Sequence, residues 1–270
     1  MNRKNEKELS FWEHLEDLRK TIFSILVVLI VVMIVIFVNK ELIFNIVLAP
    51  QKDDFIIYRL FCRLAEWTSI AEICPESFRV ELINTQLASQ FFIHLSVSFC
   101  MALVLSFPYI LYQLFRFVSP ALRDSERRYS FGVICYSSLL FYMGVLLNYF
   151  LIFPLSFRFL GTYQVSSEVV NLIDLSSYIN TLILLSLMIG IMAELPVLSW
   201  LLGKLGLLSA AFMRNYRRHA AVIILIIAAV ITPTVDIFTL FLVFSPIYLL
   251  YELSIFVVAR TAKQHTAITA

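Results

Sequence analysis

The chain has 270 residues, of which 60% are hydrophobic and only 15% charged, and its mean hydropathy is +0.87. Soluble domains stay near about 45–50% apolar, and a domain of this size cannot hide the surplus, so the composition is that of a polytopic membrane protein. The net charge of +2 excludes the strongly basic surface that nucleic-acid binding needs.

The first twenty residues, MNRKNEKELSFWEHLEDLRK, are polar and charged. The apolar run that follows is full length and ends in no small-residue cleavage site, so it is expected to stay as an anchor rather than leave as a signal peptide. Ser10 and Glu13 make an S-x-x-E capping box, which starts a helix at Phe11. Phe11, Leu15, Leu18 and Ile22 then form an apolar stripe, while Glu13, Asp17 and Lys20 share another face. Two readings of that face stay open: a solvated side of an interfacial helix, or an acidic patch arranged for a cationic ligand.

Nearly uncharged stretches mark six spans. They are Thr21–Asn39, Leu87–Phe115 broken by Pro108, Tyr129–Phe157 with Pro154 near its end, Leu175–Gly203 carrying Glu194, His219–Ile231, and Ile237–Ala259 carrying Glu252. The fifth is short. Its apolar core, Ala220–Ile231, makes about 18 Å of helix, and Arg217, Arg218, Pro233 and Asp236 prevent simple extension. With the sixth it should form a short hairpin that thins the bilayer or sits among longer helices. The expected fold is therefore an all-α membrane protein of six transmembrane helices. It forms one polytopic domain over 1–270, with an amphipathic segment at 1–20, a loop at 40–86 and a tail at 259–270.

Of the 21 basic residues, 15 lie in the N-terminal segment, the second-to-third and fourth-to-fifth connections and the tail. That bias places both termini in the cytoplasm and the 40–86 loop outside. Cys62 and Cys74 both fall in that loop, where a disulfide could persist, so a bridge between them is possible. Cys100 and Cys135 fall inside spans, as apolar filler.

Signatures of catalysis are missing: there is no H-E-x-x-H, G-x-S-x-G, P-loop or G-x-G-x-x-G, and the four histidines are scattered. An enzyme, a metal site or a cofactor is not expected. The polar points inside the spans remain. Glu194 lies about 13 Å inside its span, a depth at which a charge costs about 2.5–3.5 kcal/mol. It is either a helix-packing hydrogen-bond partner or a functional intramembrane acid, and Pro196 beside it can bend the helix. Asp236 can cap the sixth helix. A proton-coupled small-molecule transporter using Glu194 is the alternative class. Only six glycines and no internal repeat count against it.

"SPALRDSERRYS" (residues 119–130) poses a sharper question. Arg123, Arg127 and Arg128 hold this connection in the cytoplasm, but topology gives Glu126 no task. Here a resemblance helps. HLEDLR (His14–Arg19) resembles the H-L-x-E-L-R signature of the TatC family, the receptor core of the twin-arginine protein translocase. FPYILYQLFRFVSPALRDSERR, YFLIFPLSFRFL, AELP, ITPTVDIF and SPIYLLYELSIF then follow in that family's order, over about residues 10–258. The resemblance implies a cupped six-helix bundle with short fifth and sixth helices. It implies binding of Arg-Arg signal peptides of folded cargo, export driven by the proton-motive force, TatA/TatB-type single-span partners and a homo-oligomeric complex in the membrane lipid of the bacterial inner membrane. It carries signal binding onto Glu126 and onto Glu16, Asp17, Leu18 and Arg19, and transport roles onto Glu194 and Asp236. Structural roles fall on Pro50, Pro120 and Pro196. Two departures stand out: Asp17 replaces the family's usual Glu, a reach shorter by one methylene, and Leu240 replaces a frequent Gln.

Overall fold

The computed structural model describes residues 11–52, 54–68, 81–118, 130–163, 166, 172–232 and 236–269. Among the described residues helix α1 spans Phe11–Val38, and the expected cap, Ser10, lies outside them. The amphipathic segment and the first span are thus one helix of 28 residues. Its inward seam is narrow: Ile25, Leu29, Val32 and Ile36 pack into the main core, the spacing that faces one neighbour. Ile22, Phe23, Ile30, Val31 and Val35 stay exposed, as suits a helix bathed in lipid.

The 40–86 stretch is not a plain loop. It holds α2 (Lys40–Val47), a 3₁₀ turn at Ala49–Gln51, α3 (Ile56–Thr68) and strand β1 (Leu82–Ile83). The physical reason is a set of orphan carbonyls and apolar anchors. A helix leaves its last carbonyls without partners, and two of those on α2 are taken by phenols from distant helices. Tyr149 donates to the Ile46 carbonyl at 2.6 Å and Tyr178 to that of Val47 at 3.0 Å. Phe55, Ile57 and Tyr58 bury against Tyr149 and Phe150, and Tyr58 donates to the Pro154 carbonyl at 3.0 Å.

Helix α4 (Ser89–Val118) runs through Pro108 without the expected interruption. The third span is a composite of α5 (Ser130–Leu147), a π turn at Asn148–Ile152 and α6 (Phe153–Thr162). The π turn lets Phe153 N–H reach the Asn148 carbonyl, just ahead of Pro154, which has no N–H to give. Strand β2 (Ile173–Asp174) pairs in parallel with β1, Leu82 opposite Ile173.

The fourth span, expected as one helix, is broken into α7 (Leu175–Met192) and α8 (Leu195–Lys204). Helix α9 (Ala210–Asn215) follows, capped by Ser209, and then the hairpin of α10 (Arg217–Ile231) and α11 (Ile237–Thr269). The expected tail at 259–270 thus continues the last helix as far as Thr269. Among the described residues, five helical stretches are long and apolar enough to cross a membrane: Leu15–Val38, Ser89–Phe117, Phe131–Thr162, Leu175–Lys204 and Ile237–Arg260. The expected fifth span, α10, has 15 residues, about 22 Å of helix, and falls below that length. The core lies where α1, α4, α7, α10 and α11 meet, with Ala102, Ile179, Leu185, Ile189, Ala228, Val243 and Ile247 fully buried.

Asp174 joins the two segments that precede α4 and α7. Its carboxylate accepts from Ser176 N–H at 2.7 Å and from the Thr85 hydroxyl at 2.9 Å, while Ser89 and Ser176 share a bond of 2.6 Å. The Thr85 hydroxyl first, then the Ser176 amide, hold this carboxyl below the usual range. A lowered folded value means that the contribution is whole above the unfolded pKa of about 3.9 and is lost as the pH falls through the folded one. Detergent-solubilised protein is therefore expected to lose melting temperature between about pH 5 and pH 3 by more than its Asp174→Asn variant does. Equal losses in a thermal-shift titration would show that the pair of bonds adds nothing.

Candidate functional site

Two polar places stand out against the apolar body. The first lies between the start of α1 and the end of α4. It is a cleft of about 310 Å³ lined by Asp17, Lys20, Thr21 and Ser24 from one helix and Gln113, Arg116 and Phe117 from the other. Its floor is a hydrogen-bonded trio. Ser24 and Tyr109 hydroxyls lie 2.6 Å apart, and the Gln113 amide nitrogen donates to Tyr109 at 2.6 Å and to Ser24 at 3.3 Å. Gln113 is buried, so its partners hold the floor in one arrangement. On the wall, Lys20 is tied to Glu16 at 3.0 Å, one turn back on the same helix. Asp17 is exposed and forms no ion pair among the described residues. A carboxylate with no cation of its own, at the mouth of a polar cleft, can accept two parallel N–H bonds from an incoming guanidinium.

The second place is the break between α7 and α8. Glu194 sits there, 9% exposed. Ser137 on α5 donates to its Oε2, while Oε1 has no partner among the described residues. The local chain explains the break. Pro196, second residue of α8, cannot donate to the turn before it, so Glu194 N–H turns to the Ile191 carbonyl at 3.0 Å and helical bonding restarts at Val197 and Leu198.

Close packing explains the Ser137 contact. A Cβ on Gly190 would stand 2.8 Å from the Phe141 ring, and one on Gly144 would stand 2.9 Å from both the Ala193 Cβ and the Ile189 carbonyl. Only glycines let α5 and α7 come this close. Ser137 lies seven residues before Gly144, on the same face of α5, and so meets the break. Two further polar groups lie elsewhere in the fold. Asn148, in the π turn and fully buried, donates to Ser186 at 2.8 Å, and its Oδ1 has no partner among the described residues. Asp236 accepts from Thr239 N–H at 2.6 Å, which caps α11, and its buried Oδ2 has no partner among the described residues.

Comparison with known proteins is decisive for the family. The sequence profile of the Sec-independent protein translocase protein TatC matches residues 13–246. The chain belongs to the TatC family. A TatC relative from Blattabacterium sp. subsp. Periplaneta americana (strain BPLAN) is 40% identical over 265 residues, covering 97% of this chain and 99% of the relative. The TatC protein of Escherichia coli (strain K12) is 31% identical over 243 residues, covering 90% and 85%. Two crystal structures of the twin-arginine translocase receptor TatC superpose on the fold. One has a TM-score of 0.71 at 29% identity, covering 91% of this chain and 98% of that one. The other, in DDM, has a TM-score of 0.73 at 28% identity, covering 90% and 98%.

On this TatC-family scaffold, Glu16, Asp17, Leu18 and Arg19 fall on one turn of α1. Asp17 lines the cleft, Glu16 is bound to Lys20, Arg19 is exposed and Leu18 half-buried. Glu126 and Pro120 lie outside the described residues. Pro50 is buried in the 3₁₀ turn, and its carbonyl faces the Tyr58 hydroxyl at 3.4 Å. Cys62 on α3 is disulfide-bonded, whereas Cys74 lies outside the described residues. Cys100 is buried; Cys135, expected as filler, is exposed instead on the α5 surface. Among the described residues no group of three or more His, Cys, Asp or Glu could hold a metal.

Sequence reasoning passed over Ser137 and the trio Ser24, Tyr109 and Gln113. The glycine pair was the available signal for Ser137. The trio comes from helices 85 residues apart and carries no local signature.

Proposed function

We propose that this chain is the core receptor of a twin-arginine translocation system. It binds the Arg-Arg signal peptides of folded proteins and organises their export, driven by the proton-motive force. In this reading α10 is a sixth, short span, both termini are cytoplasmic, and the chain works as a homo-oligomer with TatA/TatB-type single-span proteins. The observation that carries the reading is Asp17, which lines the α1–α4 cleft and forms no ion pair among the described residues. It stands at the N-terminal end of the chain, on the side where the basic residues concentrate. Glu126, in the connection that follows α4, is the second carboxylate, so that each arginine of the pair meets one acid. Arg116 in the cleft and Arg123, Arg127 and Arg128 oppose a cationic peptide at long range. Screening over about 8 Å confines that repulsion, and direct contact with a carboxylate outweighs it.

A hydrogen bond to a charged group is worth about 1.5–3 kcal/mol, roughly tenfold to a hundredfold in affinity. Photo-cross-linking of an Arg-Arg signal peptide to membranes is therefore expected to fall about tenfold or more in Asp17→Ala and to vanish in Glu126→Arg, with insertion unchanged. Asp17→Glu should cross-link as the parent does. Undiminished cross-linking in both Asp17→Ala and Glu126→Arg would overturn the assignment.

A further inference from the structure

We propose that Arg217, Glu252 and Tyr248 form a clasp that sets the depth and register of the short helix α10 against α11, and that export depends on it. Arg217 is the first residue of α10, and its Nη2 lies 2.7 Å from Glu252 Oε2. Tyr248, one turn before Glu252, donates to its Oε1 at 3.2 Å. Both carboxylate oxygens are thus occupied, one by each partner.

The position of the clasp is informative. From Arg217 to Ile231 the first leg of the hairpin makes about 21 Å of helix, and from Ile237 to Glu252 the second makes about 22 Å. The legs match. Thr232 and Asp236 bound the two legs at one end of the hairpin, and the clasp joins the legs at the other. Next to the clasp, Tyr251 donates to the Met213 carbonyl at 2.8 Å, and Met213 is buried against Ile255 and Val258, so α9 is tied to the same part of α11.

α10 is seated on one face by the buried Ile224, Ala228 and Ile231, but little on its other face holds its height. Its length is below the roughly 30 Å of hydrocarbon, and Val222, Ile223, Ile226 and Val230 are exposed. Aliphatic side chains lose nothing by sliding along lipid tails, since lipid is as apolar as they are. A directional polar contact is what distinguishes one register from the next. An ion pair in open water does this poorly. Here the Glu252 side chain is only 31% exposed and belongs to a membrane-spanning stretch, where salt screens weakly.

The export part of the proposal rests on the translocase reading; the register part does not. Arg217→Glu, Glu252→Arg and the double exchange are made in a background with Cys100→Ala and Cys135→Ala, carrying Val222→Cys as a depth reporter. Each single reversal should change the labelling rate of Val222→Cys by a membrane-impermeant maleimide at least threefold. It should also lower export of an Arg-Arg reporter about tenfold, at equal membrane level and with signal-peptide cross-linking intact. The double exchange should restore both to within about threefold, which a merely structural loss would not do. Where a reversal lowers the inserted amount, Arg217→Gln and Glu252→Gln replace it. Labelling and export unchanged in the single variants, or a double exchange no better than either, would overturn the clasp. If the parent chain exports no Arg-Arg reporter, the translocase reading fails while the labelling still tests the register.

Discussion

Gly144→Leu is expected to leave almost no folded protein in the membrane, Gly144→Ala to lower stability by about 1–3 kcal/mol, and Gly132→Ala to do no harm. Both glycines lie on α5, so helix propensity alone favours alanine at each by about 1 kcal/mol. What differs is the space. A Cβ at Gly132 meets nothing within 4 Å, whereas one at Gly144 meets the Ile189 carbonyl at 2.9 Å and Gly190 Cα at 3.1 Å. Those are backbone atoms of α7 and cannot rotate away. Gly190→Ala should be damaging for a related reason. Its Cβ would press on Phe141 at 2.8 Å, and that ring is fully buried and stacked on Phe107 with centroids 3.6 Å apart. Melting of the purified variants in detergent, followed by the loss of monodisperse protein, decides the matter. A Gly144→Leu variant that melts with the parent would mean that α5 and α7 are not held at this crossing.

Hydropathy made most of the fold legible because lipid is the solvent. An uncharged run of span length must be helical to satisfy its own backbone, and α1, α4 and α11 follow from that alone. The same reasoning fails where tertiary contacts decide. Pro108 and Pro246 stay inside their helices, yet the chain breaks ahead of Pro196. A proline removes one donor and crowds the carbonyl four residues before it. Whether the helix opens there depends on what stands opposite, and Ser137 across from Glu194 is such a neighbour. The 40–86 stretch was misread because its helices are fixed from outside it, by phenols of Tyr149 and Tyr178 more than a hundred positions away. Of the cleft, the α1 acids were visible as one face of a helix. Its floor was not, since it exists only through the pairing of α1 with α4.

Glu194→Ala is expected to fold and insert as well as the parent, to cross-link an Arg-Arg signal peptide normally, and to lose export by more than tenfold. The stability half of this follows from the contacts. One carboxylate oxygen is bonded to Ser137, but the other is buried and unpaired, and an acid at membrane depth costs about 2.5–3.5 kcal/mol. Alanine removes that cost along with a single hydrogen bond worth about 1 kcal/mol, so the melting temperature should not fall. A side chain that the fold would be no worse without needs another reason to be there, and its place at a break in the fourth span, distant in sequence from the acids proposed to bind the signal, points to a step after recognition. Glu194→Gln separates the two properties of the carboxyl. Its amide oxygen can still accept from Ser137, while the ionisable group is gone. Loss of export in both variants assigns the step to the acid itself; retention in Gln and loss in Ala assigns it to the hydrogen bond. Export at the parent rate in Glu194→Ala would reduce Glu194 to a packing group whose only task is to hold Ser137.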